Sequence, residues 1–192
     1  NIYTKKGKPG IQKNLEYSTG SYGTHDLSTS ISGANEKRNF FLGFERFHTD
    51  GISAMSHNQE KDRYRNNSFV GNYQNNLSDK LEFFSNFRVA DTYLQYDKVV
   101  NTDSTTHSEE VDEIQASSSL GLNYKYNEKF SNKLTLANTY IKRIYPAAIG
   151  SGNTQQDNYY GERYIYSYMG DYKFNLDNSI LFGVEKEKDF IG

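Results

Sequence analysis

The 192-residue chain has no cysteine and no tryptophan, and only 2 prolines and 2 methionines. Without cysteine there is neither a disulfide framework nor a thiolate metal site. No run of 18 apolar residues exists, so no transmembrane helix is expected. There is no clear excess of either charge: 22 basic and 24 acidic residues leave a net charge of -2, which argues against a nucleic-acid binder. No G-x-S-x-G nucleophile elbow occurs, and Gly7-Lys8-Pro9-Gly10 lacks the spacing of a phosphate loop.

What the chain does have is aromatic residues, 17 Tyr and 12 Phe, set in stretches that alternate with period 2. In the clearest stretch, Ile114, Ala116, Ser118, Leu120, Leu122, Tyr124 and Tyr126 share one face. Gln115, Ser117, Ser119, Gly121, Asn123 and Lys125 share the other. Tyr164 to Leu176, Leu81 to Tyr93, Leu15 to Thr19 and Leu27 to Ile31 repeat the pattern. In Asn39 to Phe47, Phe40, Leu42 and Phe44 face one way while Phe41 and Phe47 face the other. Three further segments, around Phe69–Tyr73, Leu134–Tyr140 and Ile180–Val184, bring the expectation to nine strands after an Asn1–Thr4 stub. Several exceed ten residues, longer than the usual 5–6 of soluble strands and long enough to cross a bilayer at a tilt.

The connections carry a second signal. Gly33–Arg38, Asn75–Lys80, Asn127–Lys133 and Asp177–Asn178 are short and polar, as tight turns are. His48–Arg65, Tyr96–Asp112 and Arg143–Glu162 are long, and only the first connection of that set, Gly20–His25, is short. Alternating short and long connections match the periplasmic turns and extracellular loops of outer-membrane barrels. The expected fold is therefore all-β, an antiparallel transmembrane β-barrel segment. On this reading Tyr73, Tyr93, Tyr124, Tyr126, Tyr140, Tyr172 and Phe174 sit at strand ends, where amphipathic rings favour the headgroup level. Glu16, Glu82, Arg88, Asn123, Lys125, Asp171 and Lys173 face the lumen.

Asn1-Ile2-Tyr3-Thr4-Lys5-Lys6-Gly7 resembles the end of the plug of TonB-dependent outer-membrane receptors, with Asn14–Gly20 placed as the first barrel strand. Ser21-Tyr22-Gly23 in a short first loop and His48-Thr49-Asp50-Gly51 before a long polar loop resemble the vitamin B12 transporter branch. The resemblance implies residues 1–10 as last plug strand and linker, and 11–192 as the first nine or so strands of a 22-stranded barrel. Both ends then read as truncations. It also implies uptake of a scarce ligand, such as a cobalamin or ferric siderophore, across the bacterial outer membrane. The implied partners are outer-membrane lipid, the protein's own plug, TonB through a segment absent here, and a small organic or iron-chelate ligand. Nucleic acid is not among them, and no cofactor is implied. The branch's calcium loop does not carry over. The matching loop has Asp50, Glu60 and Asp62 interleaved with Lys61, Arg63 and Arg65, and a hard cation wants oxygens without nearby positive charge.

Candidate ligand-binding residues are aromatic or amphipathic groups at loop tips: Tyr22, His57, Tyr64, Tyr96, Tyr145, Tyr159 and Tyr160. Girdle or loop-packing tyrosine is the simpler account of each. The four histidines, His25, His48, His57 and His107, lack metal-ligand spacing, and solvated loop histidine accounts for them. The acidic cluster Glu109–Glu113 reads as a solvated outer loop, and Glu185–Asp189 as a continuation of the last strand where both faces are wet. The rival readings are a small complete outer-membrane barrel of structural or adhesive role, a soluble β-sandwich binding module, and an outer-membrane hydrolase.

Overall fold

The computed structural model describes residues 7–53, 61–99, 106–146, 156–175 and 177–192. They form nine antiparallel strands: β1 (Gly10–Gly20), β2 (Thr24–Ala34), β3 (Arg38–Thr49), β4 (Tyr64–Asn76), β5 (Leu81–Val99), β6 (Thr106–Lys125), β7 (Phe130–Tyr145), β8 (Asp157–Lys173) and β9 (Ser179–Ile191). Each strand pairs with its sequence neighbour, giving one sheet in the order β1 to β9, and β1 and β9 are open edges. No helix long and apolar enough to cross a membrane occurs among the described residues. The Asn1–Thr4 stub lies outside them.

The turns at one end of the sheet share a device. Asn35 Oδ1 accepts from the amides of Lys37 and Arg38 at 3.0 and 2.7 Å. Asn127 does the same for Lys129 and Phe130, Asn175 for Asp177 and Asn178, and Ser78 Oγ for Lys80 and Leu81. A side-chain oxygen that satisfies two turn amides closes the hairpin tightly. At the other end, β1 and β2 join through Ser21-Tyr22-Gly23. Tyr22 and Gly23 both have positive φ, 60° and 64°, and Thr24 N donates to Ser21 O at 3.2 Å, a type I′ turn. The remaining connections at that end are the longer ones. The alternation expected from sequence is present, with one correction. Residues 96–112 are not mainly loop: β5 and β6 stay paired out to Val99 and Thr106. The acidic cluster Glu109–Glu113 therefore lies in β6. Four of its five residues are acidic, so the segment lacks the apolar alternation that marks a strand. Lys173 ends β8, and Phe174 and Asn175 belong to the turn; Glu185–Asp189 does continue β9.

Register assigns every strand residue to a face. One face carries Leu15, Leu27, Ile31, Leu42, Phe69, Phe83, Val89, Leu120, Leu134, Tyr168 and Phe182. The opposite face carries Glu16, Ser30, Glu45, Asn72, Glu82, Arg88, Asn123, Lys125, Asp171 and Lys173. The side chains of the apolar face are not the buried ones. Leu120 and Leu134 keep 48% and 46% of their surface exposed, whereas Phe84 and Ala90, on the polar face, keep 8% and 3%. Cavities also open on the polar face. One of about 760 Å³ reaches from Lys37 at the β2–β3 turn to Leu181 in β9, another of about 250 Å³ is framed by β1 to β4. The sheet thus curls with its polar face concave and its apolar face convex. Asn123 donates to Glu82 at 2.6 Å and Asn86 to Ser119 at 3.2 Å across the concave wall. The chain enters β1 from this same side: Gly7 N donates to Asn39 Oδ1 at 3.0 Å, and Asn39 returns a bond to Gly7 O at 2.9 Å. A side chain at Gly7 would collide with the Gly33 backbone.

The strands are staggered. Paired residues form the row Lys13–Ile31–Leu42–Gly71–Phe87–Ser118–Asn138–Tyr164–Lys188. From this row the short-turn end of the strand is three residues away in β1 and nine in β9. The apolar band drifts with it. Its far edge, Tyr17 in β1 and Val184 in β9, moves from four residues beyond the row to four short of it. At about 3.3 Å per residue and 4.8 Å per strand, this is a slant of roughly 30–35°. Closed barrels tilt their strands by about 35–45°.

Candidate functional site

The convex face bears an aromatic belt along the short-turn end. Ring centroids lie 6.3 Å apart for Tyr73–Phe83, 6.3 Å for Phe130–Tyr172, 6.3 Å for Phe130–Phe182 and 5.1 Å for Tyr172–Phe174. All seven tyrosines and phenylalanines expected at strand ends fall on this face or in its adjoining turns. All seven residues expected to face the lumen fall on the concave one.

Beyond the band, at the long-connection end, the two faces exchange character. The convex face turns polar, with Arg46, His48, Arg65, Asp91, Asp112 and Glu162. The concave face turns aromatic. Its row Thr49–Tyr64–Leu94–Val111 is flanked by Phe47, Tyr96, Tyr145 and Tyr159. The Phe47 and Tyr64 rings are 5.9 Å apart, and Tyr145 meets Tyr159 edge-on at 5.8 Å. The Tyr96 hydroxyl donates to Glu109 Oε2 at 2.9 Å. Burial, then that hydrogen bond and the Glu109 charge, push its pKa up to about 12. Arg143 Nε donates to Glu113 Oε2 at 2.7 Å. Glu113, with the Tyr145 hydroxyl beside it, holds the guanidinium pKa above its usual value. This is a shelf of ring faces, hydroxyls and one ion pair, suited to gripping a bulky organic molecule through stacking and hydrogen bonds.

Of the residues singled out from sequence, Tyr64, Tyr96, Tyr145 and Tyr159 are brought together on this shelf. They lie in strands rather than at loop tips. Tyr160 points to the convex side, opposite Lys142. Tyr22 occupies the β1–β2 turn, where its carbonyl accepts from Asp50 N at 2.9 Å. His57 lies outside the described residues. Phe47, Leu94 and Arg143 were not singled out, and Glu113 was read only as part of a solvated acidic cluster. The signal for Phe47 was its parity, opposite to Phe40, Leu42 and Phe44. Asp50 is held by Lys61 at 3.2 Å and His48 at 3.3 Å, and Lys61 foremost keeps its pKa below the usual value. Among the described residues no group of three or more potential metal ligands converges.

Comparison with family models and with curated proteins returned no match.

Proposed function

We propose that this chain is the early barrel section of a TonB-dependent outer-membrane receptor that takes up a scarce organic or metal-chelate ligand, a cobalamin or ferric siderophore. The observation that carries the reading is the inside-out sheet: apolar side chains convex and exposed, polar side chains concave. A curled sheet in water would bury its apolar face. In lipid it would expose it, with water and polar groups inside. A soluble sandwich would lay a second sheet over the apolar face, and the described residues form one sheet only. The slanted band supports the same reading, because it becomes level when the strands tilt as barrel strands do. The ties between Gly7 and Asn39 on the concave wall are compatible with a chain that arrives from a plug on that side. The aromatic shelf at the long-connection end is where an extracellular ligand would first be held.

The test is uptake by cells making the complete protein. Labelled cobalamin and ferric siderophores should accumulate only with an energised inner membrane and an intact TonB protein. Passive entry, indifferent to both, would leave a barrel without the transporter role.

A further inference from the structure

We propose that the convex face of β2–β4, just beyond the apolar band, binds the phosphate groups of anionic lipids. The inference rests on the outer-membrane reading above. Arg46 follows Phe44 by two residues on the same face, and register sets it between Leu27 and Asn67. The next row out is His25–His48–Arg65. Arg46 is exposed and has no ion-pair or hydrogen-bond partner among the described residues. Arg65 is only loosely held. Its guanidinium lies over the Tyr93 ring, 5.6 Å from the centroid, Asp91 is 3.8 Å from its Nη2, beyond hydrogen-bond range, and its buried Nε–H has no acceptor. Asp50, the other nearby acid, is already engaged by Lys61 and His48. Farther round the convex face, beyond the band on β5 to β8, Asp91, Glu110, Asp112 and Glu162 outnumber Lys142. The convex face of β9 carries cations again, Lys186 and Lys188, so positive charge gathers toward the two ends of this sheet's rim, as guanidinium groups on β2–β4.

On β2–β4 two guanidinium forks stand one strand apart at the edge of the apolar surface. Lipid phosphates lie at that level when acyl chains cover Leu27, Phe44 and Phe69. A planar fork grips phosphate oxygens in pairs, and a rim of this sign attracts anionic headgroups.

The experiment is lipid competition on the complete protein, extracted in mild detergent and read by native mass spectrometry. Phosphatidic acid and phosphatidylcholine with the same acyl chains are offered together. The wild-type protein should retain phosphatidic acid preferentially. R46Q/R65Q should cut that preference about tenfold, and D91N, which frees Arg65, should raise it. Equal retention of the two lipids by the wild type, or an unchanged preference in R46Q/R65Q, overturns the proposal while leaving the membrane reading intact. Inorganic phosphate that displaces the lipid as well as phosphatidic acid does overturns the lipid assignment. A protein that is monodisperse without detergent and carries neither lipid overturns the membrane reading itself. Should R46Q/R65Q fail to assemble, D91N alone decides: no gain in preference counts against the proposal.

Discussion

The lower and upper halves of this sheet use the same alternation for opposite ends. Near the short turns, outward side chains are mainly Leu, Ile, Val and ringed residues, and inward ones mainly Ser, Asn, Glu and Lys, with Phe41 and Phe84 packed among them. Near the long connections, outward side chains include Arg, Asp, Glu and His beside Tyr93 and Tyr160, and inward ones include Phe47, Tyr64, Tyr96, Tyr145 and Tyr159. Period 2 says only that two faces differ. Which solvent each face meets changes along one strand: β5 presents Phe83, Phe87 and Val89 outward, then Asp91, Tyr93 and Gln95. On the reading proposed above, the width of the apolar band, rather than the length of the strand, would mark the part that meets lipid. β5 and β6 run well past it.

That comparison can be broken most forcefully in the middle of the band. Leu120→Arg should destabilise the complete protein folded into bilayers by about 2–4 kcal/mol. Ser117→Arg, on the concave wall of the same strand, should cost under about 1 kcal/mol even with Arg88 directly opposite. Denaturant titration in vesicles measures both, and equal costs would mean that the convex face does not meet lipid. In the upper half the inner face should matter more. Tyr96→Ala and Tyr159→Ala should each weaken ligand binding about tenfold, roughly 1.4 kcal/mol. Tyr160→Ala, one residue away but facing outward, should leave it unchanged. If Tyr160 proves the sensitive position, the shelf is on the wrong face.

Smaller effects sharpen the same contrast. Glu113 keeps 14% of its side chain exposed, and Arg143, its partner, 44%. Glu113→Gln should cost about 1 kcal/mol or less, since one partner is well solvated. A double cycle with Arg143→Gln isolates the pair. The Tyr96 proton gives a last test. The folded protein holds it to about pH 12, while an unfolded tyrosine releases it near 10. The stability this group contributes is complete below about pH 10 and is lost as pH rises to about 12. Absorbance of tyrosinate should show a late step that Tyr96→Phe reduces. A late step of unchanged size in Tyr96→Phe would mean that the shelf is hydrated.

Much of this was legible in the residues. Ile114, Leu120 and Leu122 against Gln115, Ser117 and Asn123 fixed two unlike faces, because neighbouring side chains on a strand must point opposite ways. Asn35, Asn127 and Asn175 marked tight turns, because a short side-chain amide satisfies turn amides locally. The outer ends of β5 and β6 were not legible, because Gln95, Tyr96, Glu109 and Glu110 are all polar or amphipathic and show no apolar alternation. Nor was the meeting of Tyr64, Tyr96, Tyr145 and Tyr159 legible, since they come from four strands.

By itself, then, the sequence determined which side chains share a face and where the chain reverses, both set within a few residues. Only the tertiary structure decided which face is concave, how far the strands are staggered, and which tyrosines converge. Those depend on the pairing of all nine strands at once, where each step of register and twist adds to the last.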